Sequence, residues 1–188
     1  MIEEKKPKRK KAEKECYPEA NRQSLNVLAI DPSYNECGFS IFLQGNLHQI
    51  ERLNFKQVEK QNKKKLTKKE KRTLLAAVIK DYVNAFHIDL IVTERTRLFS
   101  QGFISIDVIA ALSELIVTMI DAVEIMVVSI GTQSWKKASS GSARHKKEDT
   151  MEWVQTILTE NVLYDTTRAL TNDECDAVGI GVAFYNGA

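Results

Sequence analysis

The chain has 188 residues, of which 43% are hydrophobic and 28% are charged, and its formal net charge is +2. This length and balance predict one soluble globular domain with a proper core. The best membrane candidate, residues 103–123, is interrupted by charged side chains, and the charged N-terminus lacks the apolar region of a secretory signal. Cys16, Cys37 and Cys175 form no CxxC pair, which excludes a disulfide framework and a zinc site and favours the cytoplasm.

The charge is unevenly distributed along the chain. Residues 56–72 carry a net charge of +7, residues 131–150 carry +3 and residues 1–20 carry +2, which leaves −10 for the remainder. Basic segments suit a polyanion such as nucleic acid, and an acidic body suits cations. Each lysine run alone is also explained by a solvated loop, but two such runs in one small domain favour nucleic acid.

Residues 1–24 are basic and contain almost no apolar residues, which predicts a disordered N-terminal tail. The tail either contacts DNA phosphates or only keeps the chain in solution. The folded domain is predicted to span residues 25–188.

In chain order, the first half of this domain reads as strands and then a helix. A short apolar run ends in Asp31, a turn with Pro32 and Asn35 follows, and residues 39–43 form a second apolar run. A hairpin turn at Gly45–Asn46 leads to a third strand over residues 47–55, which makes an antiparallel meander. Residues 56–72 read as a basic linker that leads into an amphipathic helix over about residues 67–86.

The second half alternates buried strands with helices, which is the pattern of parallel strands joined by crossovers. The predicted elements are a strand at 89–93 that ends in Glu94, a helix at 103–123, a strand at 124–130, a loop at 131–147, a helix at 148–160 and a last helix at 171–185. The last helix opens with TNDE, the pattern of a capping box. The fold class is therefore α/β, with a five-stranded mixed sheet of three antiparallel and two parallel strands and helices on both faces.

Four carboxylates are predicted to meet at one edge of this sheet. Asp31 and Glu94 end neighbouring parallel strands, and Asp173 and Asp176 share one face of the last helix. Each alone is also explained as a turn, strand-end or helix-start residue. Four clustered carboxylates cannot all ionise without a cation, and oxygen ligands favour Mg²⁺, with Mn²⁺ as a substitute, over zinc. Two metals about 4 Å apart would support phosphodiester hydrolysis.

Three segments resemble the catalytic motifs of the RNase H-like superfamily, and in particular those of RuvC-type Holliday junction resolvases of bacteria and some of their phages. The segments are VLAIDPSYNECGFSIF, IVTER and NDECDAVGIGVAF. The stretch TQSWKKASSGSARHKK also resembles the basic stretch that precedes the last helix in that family. The resemblance covers most of residues 25–188.

This resemblance implies a homodimer that resolves four-way DNA junctions by paired symmetric nicks with Mg²⁺, in the bacterial host cytoplasm if the protein is phage-encoded. It implies a catalytic set of Asp31, Glu94, Asp173 and Asp176. Lys136 matches one basic position of the family. The second basic position falls at His145, Lys146 or Lys147, and we take Lys146. The apolar helix at residues 103–123 fits the dimer interface.

The basic insert at residues 56–72 and the tail depart from the compact family pattern, and the aromatic residue expected after the catalytic glutamate is either Phe99 or Phe103. We expect DNA contacts from the basic residues of the insert and of the stretch before the last helices, together with two residues that follow Glu94. These residues are Lys63, Lys64, Lys65, Lys68, Arg97, Phe99, Lys136, Lys137, Arg144, Lys146 and Lys147.

Three other functions share features with this sequence. The first is an RNase H-like nuclease acting on RNA–DNA hybrid or structured RNA, and the second is a non-catalytic junction-binding protein on this fold, which retention of all four carboxylates disfavours. The third, an actin-like sugar kinase or ATPase, needs a duplicated domain for which this chain is too short.

Overall fold

The computed structural model describes residues 19–95, 114, 117, 125–143, 146–160 and 169–188. In these residues the strands are β1 (Val27–Pro32), β2 (Glu36–Leu43), β3 (Asn46–Asn54), β4 (Leu90–Glu94) and β5 (Met126–Ile130). They form one sheet in the order β3–β2–β1–β4–β5. The pairs β1–β2 and β2–β3 are antiparallel, whereas β1–β4 and β4–β5 are parallel. The predicted five-stranded mixed sheet is confirmed.

The helices of the described residues are α1 (Glu19–Arg22), α2 (Phe55–Gln61), α3 (Lys68–Phe86), α4 (Thr132–Ser140), α5 (Lys147–Glu160) and α6 (Asn172–Tyr185). Helices α2 and α4 correct the sequence prediction, because α2 runs from the end of the predicted third strand into the predicted basic linker and α4 lies in the predicted loop. Helix α2 is capped by the Asn54 side chain, which accepts from the Gln57 backbone N–H, and is anchored by buried Phe55. Helix α4 has Trp135 as its one large apolar residue, which is too few for a helical period to be visible in the sequence.

The turn between β2 and β3 lies one residue earlier than predicted. Gln44 and Gly45 both have positive φ, at 51° and 81°, so they are the central residues of the turn and Asn46 already belongs to β3. Two positive φ values in succession are the signature of a type I′ turn, which matches the twist of the two strands. The capping box predicted at Thr171 is confirmed, since its side chain accepts from Glu174 N–H and the Glu174 side chain accepts from the Thr171 N–H.

Helices cover both faces of the sheet, as predicted. Because side chains alternate along a strand, Val27 and Ala29 of β1 face one layer and Leu28 and Ile30 face the other. The first layer includes buried residues of α4, α5 and α6, namely Trp135, Val154, Leu158, Val178, Ile180 and Phe184. The second layer includes buried residues of α2 and α3, namely Phe55, Leu75 and Ile79. The central position of β1 therefore fixes where its last residues point.

The described chain begins with α1, which lies within the tail that was predicted to be disordered. Its Arg22 is 5% exposed, donates to the Phe184 carbonyl at 2.6 Å and lies over the Phe184 ring. The domain boundary after residue 24 stays a prediction. The predicted helix at residues 103–123 lies outside the described residues except for Glu114 and Val117, which are helical.

Among the described residues, no helix is long and apolar enough to cross a membrane. The cytoplasmic location stays a prediction.

Candidate active site

Asp31 and Glu94 follow a pair of parallel strands to the same edge of the sheet. The register pairs Ile30 of β1 with Thr93 of β4, so the next residue on each strand is one of the two carboxylates. Strand alternation places Asp31 on the face of Ala29. It places Glu94 on the face of Val92, and both Ala29 and Val92 belong to the layer covered by α6. The two carboxylates are therefore directed toward the helix that carries the other two.

Helix α6 begins directly over β2. A Cβ added at Gly38, the β2 partner of Asp31, would lie 2.0 Å from the Asp173 carbonyl oxygen, so only glycine lets the helix approach this closely. Asp173 accepts a hydrogen bond from Ser33 Oγ at 3.2 Å. Ser33 lies in the turn after Asp31, so this bond ties the first turn of α6 to the end of β1.

The four predicted carboxylates affect one another electrostatically. Burial raises the pKa of the Asp31 carboxyl well above its usual range. The negative charges of Asp176, Glu94 and Asp173, in decreasing order of effect, raise the Asp31 pKa further. Burial also raises the pKa of Asp173, and it raises the pKa of Asp176 to about 6. The structure thus places the four carboxylates near enough for the negative charges of the other three to act on Asp31.

Two lysines partly offset this negative charge. The positive charge of Lys136 opposes the rise in the pKa of Asp176, and that of Lys147 does so for Asp31, Asp173 and Asp176. Lys146 instead directly precedes α5, and its backbone N–H donates to Asp149 Oδ2 at 2.9 Å. Among the described basic residues after Gly141, Lys147 is the one that opposes the rise in the pKa of three of the carboxyls.

Glu94 is held by two residues that the sequence analysis did not single out. Thr132 Oγ1 donates to Glu94 Oε1, and Trp135 Nε1 donates to Glu94 Oε2 at 2.8 Å. Ser33 was also missed. Ser33 could have been found from its position two residues after Asp31. Thr132 and Trp135 could have been found from their three-residue spacing, which places both on one face once the segment is helical.

The basic insert reaches the same edge of the sheet. Lys71 is 5% exposed, donates to the Tyr34 carbonyl at 3.3 Å and lies 4.2 Å from the centre of the Tyr34 ring, next to the turn after Asp31. The predicted DNA-contacting lysines of the insert are all exposed: Lys63, Lys64, Lys65 and Lys68. Lys64 forms an ion pair with Glu70 at 2.7 Å. Predicted contacts Arg97, Phe99 and Arg144 lie outside the described residues.

The donor chemistry fits a hard divalent cation, because the site offers carboxylate oxygens whose mutual repulsion a cation would relieve. In the described part of the chain, however, no three Asp, Glu, His or Cys side chains are arranged as a metal-binding group. Three of the carboxylate oxygens, two of Glu94 and one of Asp173, accept hydrogen bonds from Thr132, Trp135 and Ser33. These hydrogen bonds orient Glu94 and Asp173, and the described carboxylates do not form a closed set of metal ligands.

A five-stranded mixed sheet covered by helices on both faces, with carboxylates at the ends of its central strands, defines an RNase H-like fold, and solved structures of that fold match the chain. The family described as crossover junction endodeoxyribonuclease RuvC matches residues 27–184. The chain therefore belongs to the RuvC family, as its motifs predicted. A phage origin stays a prediction.

Three solved structures illustrate the likeness. Thermus thermophilus RuvC is 21% identical with a TM-score of 0.59, and the alignment covers 86% of this chain and 95% of that one. T. thermophilus RuvC in complex with a Holliday junction substrate is 20% identical with a TM-score of 0.60, covering 86% and 94%. The yeast mitochondrial Holliday junction resolvase Ydc2 is 14% identical with a TM-score of 0.60, covering 89% and 83%. No curated protein sequence matches the chain significantly.

Proposed function

We propose that this protein resolves four-way DNA junctions by paired symmetric nicks, and that Asp31, Glu94, Asp173 and Asp176 hold two Mg²⁺ ions, with Mn²⁺ as a substitute. The observation that carries the proposal is the gathering of these residues from β1, β4 and α6 at one edge of an RNase H-like sheet. Membership of the RuvC family supports the substrate class. The Holliday junction bound to T. thermophilus RuvC supports it further.

The reaction adds water across one phosphodiester bond and leaves one phosphate end and one hydroxyl end. The bound cations would activate the attacking water and stabilise the leaving oxygen. The carboxylates of this chain supply the negative charge that binds those cations, and Ser33, Thr132 and Trp135 orient two of the carboxylates. Lys136 and Lys147, whose charges act on the cluster, are proposed to stabilise the negative phosphate in the transition state.

The basic insert is proposed to bind the phosphate backbone of the DNA beside the cleaved strand. Lys71 fixes the start of α3 to Tyr34, in the turn after Asp31. The exposed lysines of the insert directly precede this point in the chain and therefore lie near that turn. Lys137, Lys146 and the basic residues outside the described part of the chain are proposed to add further phosphate contacts.

A homodimer is proposed because two active sites related by a two-fold axis match the symmetry of a four-way junction. The predicted interface is the apolar helix at residues 103–123, and its described residue Val117 is 54% exposed. Light scattering of the purified protein at micromolar concentration measures the mass, and a monomer would refute this part of the proposal.

The proposal is tested by comparing Asp31→Asn with Asp81→Asn, a matched change at an exposed aspartate of α3. Asp31→Asn is expected to abolish Mg²⁺-dependent nicking of a four-way junction and to keep junction binding, whereas Asp81→Asn leaves both unchanged. Nicking of both strands is read on four-way, three-way and flap DNA and on an RNA–DNA hybrid. Nicking by the Asp31→Asn protein at the wild-type rate would refute the site. Preferential cleavage of the hybrid by the wild-type protein would favour an RNase H-like activity. Junction binding by the wild-type protein without any nicking would favour a non-catalytic protein.

A further inference from the structure

Both oxygens of the Glu94 carboxylate accept hydrogen bonds from the first turn of α4. Thr132 Oγ1 donates to Oε1, and Trp135 Nε1 donates to Oε2 at 2.8 Å. An indole N–H is a donor only, so the direction of the Trp135 bond is unambiguous. Thr132 and Trp135 are three residues apart, which turns both donors to the same side of the helix.

The donor Trp135 is itself fixed between α4 and α6. Its side chain is 1% exposed, and a Cβ added at Gly179 of α6 would lie 2.6 Å from the indole ring. Helix α4 is joined to the end of α6 a second time, because Asn186, the residue that follows α6, donates from Nδ2 to the Ala138 carbonyl at 3.0 Å. The indole therefore links the carboxylate at the end of β4 to the helix that carries Asp173 and Asp176.

We propose that Thr132 and Trp135 are positioning residues that hold Glu94 toward Asp31 and Asp176, and that the Trp135 indole N–H registers the binding of a divalent cation by Glu94. This inference rests on the proposed function. A carboxylate oxygen has two lone pairs, so Oε1 and Oε2 can each accept a protein donor and still offer a lone pair to a cation. Without the two donors, the glutamate side chain would be free to rotate, and part of the cation-binding free energy would be spent in ordering it.

The experiment follows the indole ¹H–¹⁵N resonance of Trp135 while Mg²⁺ is added to ¹⁵N-labelled protein. The chain has two tryptophans, and Trp153→Phe leaves the Trp135 resonance as the single indole signal. The signal is expected to shift and saturate with Mg²⁺ in the Trp153→Phe protein. In a double variant that also carries Asp31→Asn, the signal is expected to respond little to Mg²⁺. This readout needs neither DNA nor turnover.

Thr132 supplies a matched pair of variants in the Trp153→Phe background. Thr132→Val removes the hydroxyl with little change in shape. It is expected to raise the half-saturating Mg²⁺ concentration about 10- to 100-fold, both in the resonance titration and in the Mg²⁺ dependence of the cleavage rate. KM for DNA is expected to stay unchanged. Thr132→Ser keeps the hydroxyl and is expected to restore the value to near wild type. Trp135→Phe is read through the cleavage rate alone and is expected to shift the Mg²⁺ dependence in the same direction.

Half-saturation of Thr132→Val within twofold of wild type would overturn the positioning role, even if the melting temperature fell. A Trp135 resonance that ignores Mg²⁺ while the wild-type protein nicks junctions would overturn the reporting role and leave the proposed function standing. An absence of both Mg²⁺ response and nicking in the wild-type protein would overturn the inference together with the proposed function.

Discussion

Replacing Gly38 by alanine would test whether the close approach of α6 to β2 sets the geometry of the site. The new Cβ would lie 2.0 Å from the Asp173 carbonyl oxygen, 2.3 Å from its carbonyl carbon and 2.7 Å from the Glu174 nitrogen. All three are backbone atoms, so no side-chain rotation relieves the overlap. Reaching an ordinary separation of 3.4 Å requires the start of the helix to move by about 1.4 Å relative to the strand.

This displacement carries Asp173 and Asp176 away from Asp31. Overpacking of this kind costs about 1–3 kcal/mol of stability, which lowers the melting temperature by about 2–4 °C for each kcal/mol in a protein of this size. A misplacement of about 1 Å in a catalytic group lowers rates by about 100-fold. We therefore expect Gly38→Ala to fold but to nick four-way junctions about 100 times more slowly under single-turnover conditions with saturating Mg²⁺.

Gly181→Ala is the control, because a Cβ there would lie 2.1 Å from the Phe42 ring, further along the same helix and inside the core. It is expected to lose stability through the same overpacking while its rate, measured well below its melting temperature, stays within a fewfold of wild type. Equal rates for Gly38→Ala and wild type, or equal losses of rate in the two variants, would refute the link between this glycine and the carboxylate geometry.

Three other outcomes follow from the site and the insert. Because burial raises the pKa of Asp176 to about 6, the folded protein loses stability as pH rises from about 4 through 6. Asp176→Asn in EDTA should therefore raise the free energy of unfolding by up to about 3 kcal/mol at pH 8 and by little at pH 3.5. A gain that is the same at both pH values would contradict this. Mg²⁺ should raise the melting temperature of the wild-type protein and not that of Asp31→Asn, as followed by calorimetry, since only a folded site binds the ion. Alanine at Lys63, Lys64 and Lys65 should make the plot of log binding constant against log salt concentration less steep, by about 0.9 in slope for each DNA phosphate that is no longer neutralised. Lys71→Met should instead lower stability by about 1–3 kcal/mol and leave that slope unchanged.

The parts of the fold that the sequence predicted are those governed by local pattern. The apolar run before Asp31 and the run before Glu94 have the length and composition of buried strands, and their alternation decides which face each carboxylate takes. The Thr171 capping box is equally local, because both of its hydrogen bonds join residues three apart. Such features need no knowledge of distant segments, so the strands, the capped helix and the candidate carboxylates that they carry were predictable.

Features that depend on contacts between distant segments became visible only in the tertiary structure. The segment of α4 has the composition of a loop, and its helix places Thr132 and Trp135 against Glu94, about forty residues away in sequence. Lys71 belongs to a basic run that reads as solvated, yet it is buried against Tyr34. The sequence by itself determined which carboxylates this protein offers and on which elements they lie. Which donors orient them was decided by packing between segments that no local period connects.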